Sequence, residues 1–323
     1  MGDYSSLYKY EKYEVFGDEI VPLGIFSVDG DGTMPVVVKY DCDQECGCQE
    51  PIYRWIQTED TICVYVPPTP VSAKFRLTLS DSTTVSAECD STSAITSGEV
   101  ATQYSGTVVS AEIGDCVNEL SSNTFKACSS LTSIDIPNGV TTIGDNAFKS
   151  CLSLTSIDIP SSVTSIGSYT FDGCTGLTSC TIGSGVTRLG AQAFRHCLSL
   201  QSIDIPNSVT SIGNSAFTQC SSITSVTIGS GVTFIGRGVF SNCSSLISID
   251  IPSGVTSIGY GAFQYCSGLT SITVNATTPP TLSNSNAFTD TNNCPIYVPS
   301  ASVDTYKVAE GWSNYADRIQ AIV

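Results

Sequence analysis

Residues 149–167 read Lys149-Ser-Cys151-Leu-Ser-Leu154-Thr-Ser156-Ile157-Asp158-Ile159-Pro160-Ser-Ser-Val163-Thr-Ser-Ile166-Gly167, and this stretch decides the fold. Its pattern returns every 23 residues: Phe125, Phe148, Phe171, Phe194, Phe217, Phe240 and Phe263 keep the step, as do Cys128, Cys151, Cys174, Cys197, Cys220, Cys243 and Cys266. A fixed period of this length means stacked units, each too small to bury its own apolar face. Side chains on a strand alternate between faces, so Leu154, Ile157 and Ile159 point inward while Ser156 and Asp158 point out. Pro160 ends the strand, where its missing N–H costs least. Val163 and Ile166 make a second inward pair, and Gly167 is expected to make a sharp corner. Stacking such coils sets parallel strands about 4.8 Å apart.

These seven copies resemble the BspA-like leucine-rich repeats, also called the Treponema pallidum type, which occur in surface proteins of gut and oral bacteria. The resemblance implies a mainly β leucine-rich-repeat solenoid and a role in binding or adhesion to varied targets. The 23-residue coils are expected over 108–274, the first of them degenerate. Residues 275–323 look like the family's carboxy-terminal cap, with a short helix from Val303 to Ala309 and with Trp312, Tyr315 and Ile319 covering the last rung. Residues 67–107 open on the stiff linker Val66-Pro-Pro-Thr-Pro70. They continue into an amino-terminal cap, since an open first coil would expose the core, or into a small hairpin domain. Residues 1–66 carry no repeat and read as a small acidic β module, with turns at Gly17-Asp18 and Gly30-Asp31-Gly32.

The 323 residues carry a formal net charge of -17. Residues 1–107 hold 17 acidic and 6 basic side chains, against 13 and 7 in 108–323. An acidic surface repels nucleic acid and anionic membrane, which argues against both as partners. No run reaches the roughly 18 apolar residues of a membrane helix, so no membrane insertion is expected. The first ten residues, polar and aromatic, lack the apolar core of a secretory leader, and synthesis in a cytoplasm without general secretory export is the expectation.

The chemistry-bearing residues are few. The single histidine, His196, has Ala127, Ser150, Gly173, Gln219, Asn242 and Tyr265 as its repeat equivalents, a variety that marks an exposed filler position. No nucleophile–base arrangement or phosphate loop accompanies it, so no catalytic residue is assigned and the chain is read as non-enzymatic. The seven repeat cysteines run in one inward column with parallel side chains, a poor geometry for bridging. They read as buried thiols, and Cys180, in place of a strand isoleucine, as another. Cys42, Cys46, Cys48 and Cys63 leave structural zinc, disulfides and free thiols open. No metal or cofactor is assigned.

The outward strand positions form an unbroken row: Ser133, Ser156, Ser179, Ser202, Ser225, Ser248 and Ser271. Beside it run Asp135, Asp158, Thr181, Asp204, Thr227, Asp250 and Thr273. Such a face keeps a sheet from associating, and it can also serve as a polar ligand platform. Ser156, Asp158, Ser202, Asp204, Ser248 and Asp250 are the candidate ligand-binding residues. The run Tyr53-Arg-Trp-Ile-Gln-Thr-Glu-Asp-Thr-Ile-Cys63 resembles amino-terminal segments of virion proteins of tailed phages of gut Bacteroidales, including crAss-like phages. That resemblance implies a virion protein whose residues 1–66 dock on other virion proteins. The solenoid would then meet a host surface protein or glycan, in a homo-oligomer within the assembled particle. The alternative is a bacterial surface adhesin or interaction scaffold.

Overall fold

The computed structural model describes residues 73–88, 94–96, 98–284 and 286–322, together with five short strands between residues 13 and 39. Cys42, Cys46, Cys48, Cys63, the linker at 66–70 and the segment around Trp55 lie outside the described residues. The chain divides into two compact units, Met1–Pro70 and Val71–Val323.

In the first unit, Tyr13–Phe16, Glu19–Pro22 and Val38–Lys39 form an antiparallel sheet in that order, and Phe26–Ser27 pairs with Thr33–Met34.

The second unit turns the 23-residue step into coils with two sheets and a turn edge. The inner strand pair of each coil builds a continuous nine-stranded parallel sheet, running from Ala94–Ile95 through Ser165–Ile166 to Thr281–Leu282. The longer strands, such as Ser156–Ile159, Ser202–Ile205 and Ser248–Ile251, form the second sheet, with an exposed–buried alternation along each. The side chains that the alternation turns inward meet the turn edge across a single core, where every ring of the phenylalanine column is fully buried. Successive rings from Phe125 to Phe263 stack with centroids 5.0–5.5 Å apart.

The stack continues past the last 23-residue step. Phe288 comes 25 residues after Phe263, and its ring still stacks at 5.5 Å. One extra residue is taken up before Thr281, in the stretch that holds Thr277-Thr-Pro-Pro280, since Ser257 pairs with Thr281 at a step of 24, and the second lies between Leu282 and Phe288. The helix Val303–Val308 and the 3-10 segment Trp312–Arg318 then close the end. Trp312 donates through Nε1 to the Pro280 carbonyl at 2.7 Å, and Tyr306 through its hydroxyl to the Ala276 carbonyl at 2.7 Å. Trp312, Tyr315 and Ile319 are all buried there. At the other end the hairpin of Ala73–Leu79 and Thr84–Glu88 pairs antiparallel onto Val108–Ile113, so the long-strand sheet meets a reversed strand.

The glycine expected to make a corner has a different task. Gly167 has no left-handed backbone; a Cβ there would lie 2.6 Å from the Asp145 nitrogen, so the residue permits one coil to approach the next. The left-handed turns fall elsewhere, in two columns. One holds Ala127, Ser150, Gly173, His196, Gln219, Asn242 and Tyr265, with φ of 60–77°. His196 is therefore more than a filler: it sits at a backbone position that favours glycine.

A threonine column braces the coils. Thr141, Thr164, Thr187, Thr210, Thr233 and Thr256 each donate through the hydroxyl to the coil before, at 3.1–3.5 Å. The 23-residue step shows the column of threonines but not the carbonyls to which their hydroxyls donate.

Candidate functional site

The long-strand sheet is broken, unlike its partner. Its strands hydrogen-bond as Ser156–Ile159 with Ser179–Ile182, Ser202–Ile205 with Ser225–Ile228, and Ser248–Ile251 with Ser271–Val274. Between these pairs the ladder opens, and it also opens between Ser133–Asp135 and Ser156–Ile159. Amide–carbonyl distances at the strand bases follow the same rhythm. Thr178 to Thr155, Thr224 to Gln201 and Thr270 to Ile247 are 2.8–2.9 Å, whereas Thr155 to Thr132, Gln201 to Thr178 and Ile247 to Thr224 are 3.2–3.4 Å.

A proline accompanies each opening. The residue at this step of the repeat runs Gly114, Pro137, Pro160, Gly183, Pro206, Gly229, Pro252, Asn275, and the coil that carries Pro137 still pairs with Val108–Ile113, so the proline does not suffice for an opening. Asn275 donates its backbone N–H to the Ile251 carbonyl, 2.9 Å away. Pro160, Pro206 and Pro252 have no N–H to offer. The carbonyls of Ile136, Ile182 and Ile228 thus lose the donor that closes the ladder. Each opening lies immediately before a proline-bearing coil.

Two of the openings are grooves. One, of about 340 Å³, is lined by Ser133, Asp135, Ile136, Ser156, Asp158 and Pro160 among others. The other, of about 450 Å³, is lined by Asn207, Thr227, Ile228, Ser248, Asp250 and Pro252 among others. The structure therefore brings Ser156 with Asp158, and Ser248 with Asp250, to groove walls; Ser202 and Asp204 border the third opening. All six are exposed. Among the described residues none of the serine hydroxyls of the row finds a protein partner. Among the described residues no cation pairs with Asp158, Asp204 or Asp250; the ion pairs lie elsewhere.

The largest of those elsewhere is on the turn edge. Asp172 is buried, with a side chain 4% exposed, and Arg195 grips both its carboxylate oxygens at 2.9 and 3.0 Å. Lys149 approaches to 3.1 Å and His196 Nδ1 to 3.4 Å. Burial pushes the Asp172 carboxyl up, but Arg195 and Lys149 outweigh it and hold the group below its ordinary value. Lys149 also lies 4.9 Å over the Tyr169 ring, whose hydroxyl accepts from Gln192 Nε2 at 3.0 Å. Sequence reading missed this cluster; its signal was the column Lys126, Lys149, Asp172, Arg195, in which a carboxylate stands between cations at 23-residue steps.

The seven repeat cysteines are free and buried. From Cys151 to Cys266 each thiol donates to a phenylalanine carbonyl of an earlier coil at 3.0–3.3 Å. Burial pushes the Cys128 thiol up to about 12. Cys180 is free but only half-buried. Cys116 is disulfide-bonded. Among the described residues no group of three or more His, Cys, Asp or Glu side chains could hold a metal ion, and no helix is long and apolar enough to cross a membrane.

The BspA type leucine rich repeat region matches in six copies, over residues 98–213 and 187–307. The crystal structure of a leucine-rich repeat protein of T. pallidum is 26% identical, covering 65% of this chain and 87% of that one, with a TM-score of 0.42. A leucine rich cell surface protein from Faecalibacterium prausnitzii is 22% identical over 72% of this chain and 86% of that one, at a TM-score of 0.30. A leucine-rich repeat protein from Bacteroides ovatus is 20% identical over 74% of this chain and 88% of that one, also at 0.30. No curated protein matches. The family's repeat spans well over half of the residues, and the chain belongs to the BspA type leucine-rich-repeat proteins.

Proposed function

We propose that the unit Val71–Val323 is a rigid, non-enzymatic binding module whose long-strand face meets a partner on an outer surface. The observation that carries this reading is the contrast in charge satisfaction. Asp158, Asp204 and Asp250 stand exposed without a cation, beside Ser156, Ser202 and Ser248, on strands fixed by a fully buried core. His196, the lone histidine, lies against Asp172 rather than beside a nucleophile, so it offers no support for catalysis.

Residues 1–66 are proposed as the attachment module. The resemblance of the segment ending at Cys63 supports docking on other proteins of a phage virion. The chain would sit there in several copies as a homo-oligomer, with the solenoid turned to a host surface protein or glycan. Membership of a family common on bacterial surfaces supports a second reading, display on a cell envelope. Immunogold labelling with antibodies against the full chain separates them. Gold on purified particles supports the virion, and gold on intact envelopes supports the second reading. Label confined to the soluble cell contents contradicts both.

A further inference from the structure

The three openings recur every second coil, and their walls are rich in acceptors. Each combines a carboxylate on the proline-bearing strand (Asp158, Asp204 or Asp250) with an isoleucine carbonyl deprived of its ladder donor (Ile136, Ile182 or Ile228). Asp135 adds a second carboxylate to the first groove. No Lys or Arg occurs on any long strand from Ser133 to Val274. A group that fills such an opening must bring several donors and positive charge. A guanidinium does so: it has five N–H donors, no acceptor and a fixed charge.

Spacing then defines how these groups are carried. Coils stack at about 4.8 Å, so openings two coils apart lie about 9.6 Å from one another. A polyproline II helix repeats every three residues with a rise of about 3.1 Å, bringing every third side chain back to one side at about 9.3 Å. A regular β-strand returns a side chain to the same side every two residues, at about 6.6 Å, and misses the openings. We infer that the long-strand face binds a basic polypeptide segment in the polyproline II conformation, lying along the stack, with an arginine at every third position seated in the three openings.

This inference rests on the reading of the long-strand face as the binding surface and specifies its partner. The test uses the full chain and two fluorescent peptides of equal composition, (Pro-Pro-Arg)4 and a block peptide with its four arginines contiguous. Fluorescence anisotropy is read at about 0.15 M salt, where long-range attraction between separated charges is screened. The spaced peptide should bind at least about tenfold more tightly than the block peptide, since three seats engaged together multiply. The D158N/D204N/D250N chain should lose that advantage, and D304N, a charge removed from the cap helix, should keep it. Equal affinity for the two peptides, or an advantage that survives D158N/D204N/D250N, overturns the inference. If neither peptide binds while the full chain still adheres to cells and loses adhesion with D158N/D204N/D250N, the binding face stands and its basic-peptide partner falls. Capture of a neutral glycan in the openings, competing with no peptide, would have the same consequence.

Discussion

On the turn edge polar groups are spent inside the protein; on the long-strand face they are left for something else. Asp172 is buried and held by Arg195, Lys149 and His196, and the repeat thiols donate to backbone carbonyls. A few residues away in each coil, Asp158, Asp204 and Asp250 have no cation, and three carbonyls have lost their ladder donors to proline. Both regions come from one 23-residue unit. What distinguishes them is the neighbour in the next coil: a carboxylate between cations closes a network, whereas a proline behind the long strand withholds a ladder donor from the coil before it. The difference predicts that substitutions on the turn edge act on stability, and those on the strand face act on binding.

The largest effect should come from the ring column. Phe194→Ala removes a ring stacked on both sides, at 5.0 and 5.1 Å, and should cost about 3–5 kcal/mol. Chemical denaturation measures it. A cost below about 1 kcal/mol would mean the column is not the spine of the core.

Next is Asp172→Asn, which strands two cations on a buried amide. The expected cost is about 2–3 kcal/mol, at the low end for a buried pair because Arg195 and Lys149 remain 32% and 30% exposed. The pH dependence has a definite sign. The folded carboxyl lies below its ordinary value of 3.8, so its contribution is present above that value and is lost as pH falls through the lower, folded one. Acid titration of the melting temperature should show a loss below about pH 4 that the D172N chain lacks. Parallel titration curves for the two chains would remove Asp172 from the account.

The cysteine column should give a smaller effect. Cys197→Ala leaves a small void and loses the donor to the Phe171 carbonyl, 3.3 Å away. It should cost about 1–2 kcal/mol. Cys197→Ser keeps a donor facing that carbonyl and should fall below the alanine variant in cost. In the native chain the ladder thiols should resist alkylation and react only on unfolding. Rapid labelling without denaturant would contradict their burial.

The sequence shows the apolar part of this comparison more plainly than the polar part. The phenylalanine and cysteine columns and the inward isoleucines are legible because each follows from alternation or from the period, and the helix at Val303–Val308 and the burial of Trp312 and Tyr315 because the tail resembles the family's carboxy-terminal cap. The exposure of Ser156, Asp158, Ser202, Asp204, Ser248 and Asp250 follows from the same alternation. The openings do not, since they depend on which backbone N–H meets which carbonyl across coils. Part of their signal was present in the alternation of Pro160, Gly183, Pro206, Gly229 and Pro252, although Pro137, whose coil stays paired with the one before, does not follow it. Gly167 misleads for a related reason. Its role is set by the coil beneath it, where Asp145 leaves no room for a Cβ, and the handed turns fall to residues such as His196 and Gln219. The Asp172 cluster was hidden because charge pairing at a step of 23 is invisible along the chain.

The division between the two regions is tested most directly by reversing the three unpaired carboxylates together. The D158K/D204K/D250K chain is compared with the unaltered chain for thermal unfolding and for adhesion of the labelled full chain to host cells. All three side chains are exposed and unpaired within the protein, so each reversal should change stability by no more than about 0.5 kcal/mol. The account predicts an unchanged melting temperature and lost adhesion. A lowered melting temperature with adhesion intact would make the strand face a structural surface and contradict the account.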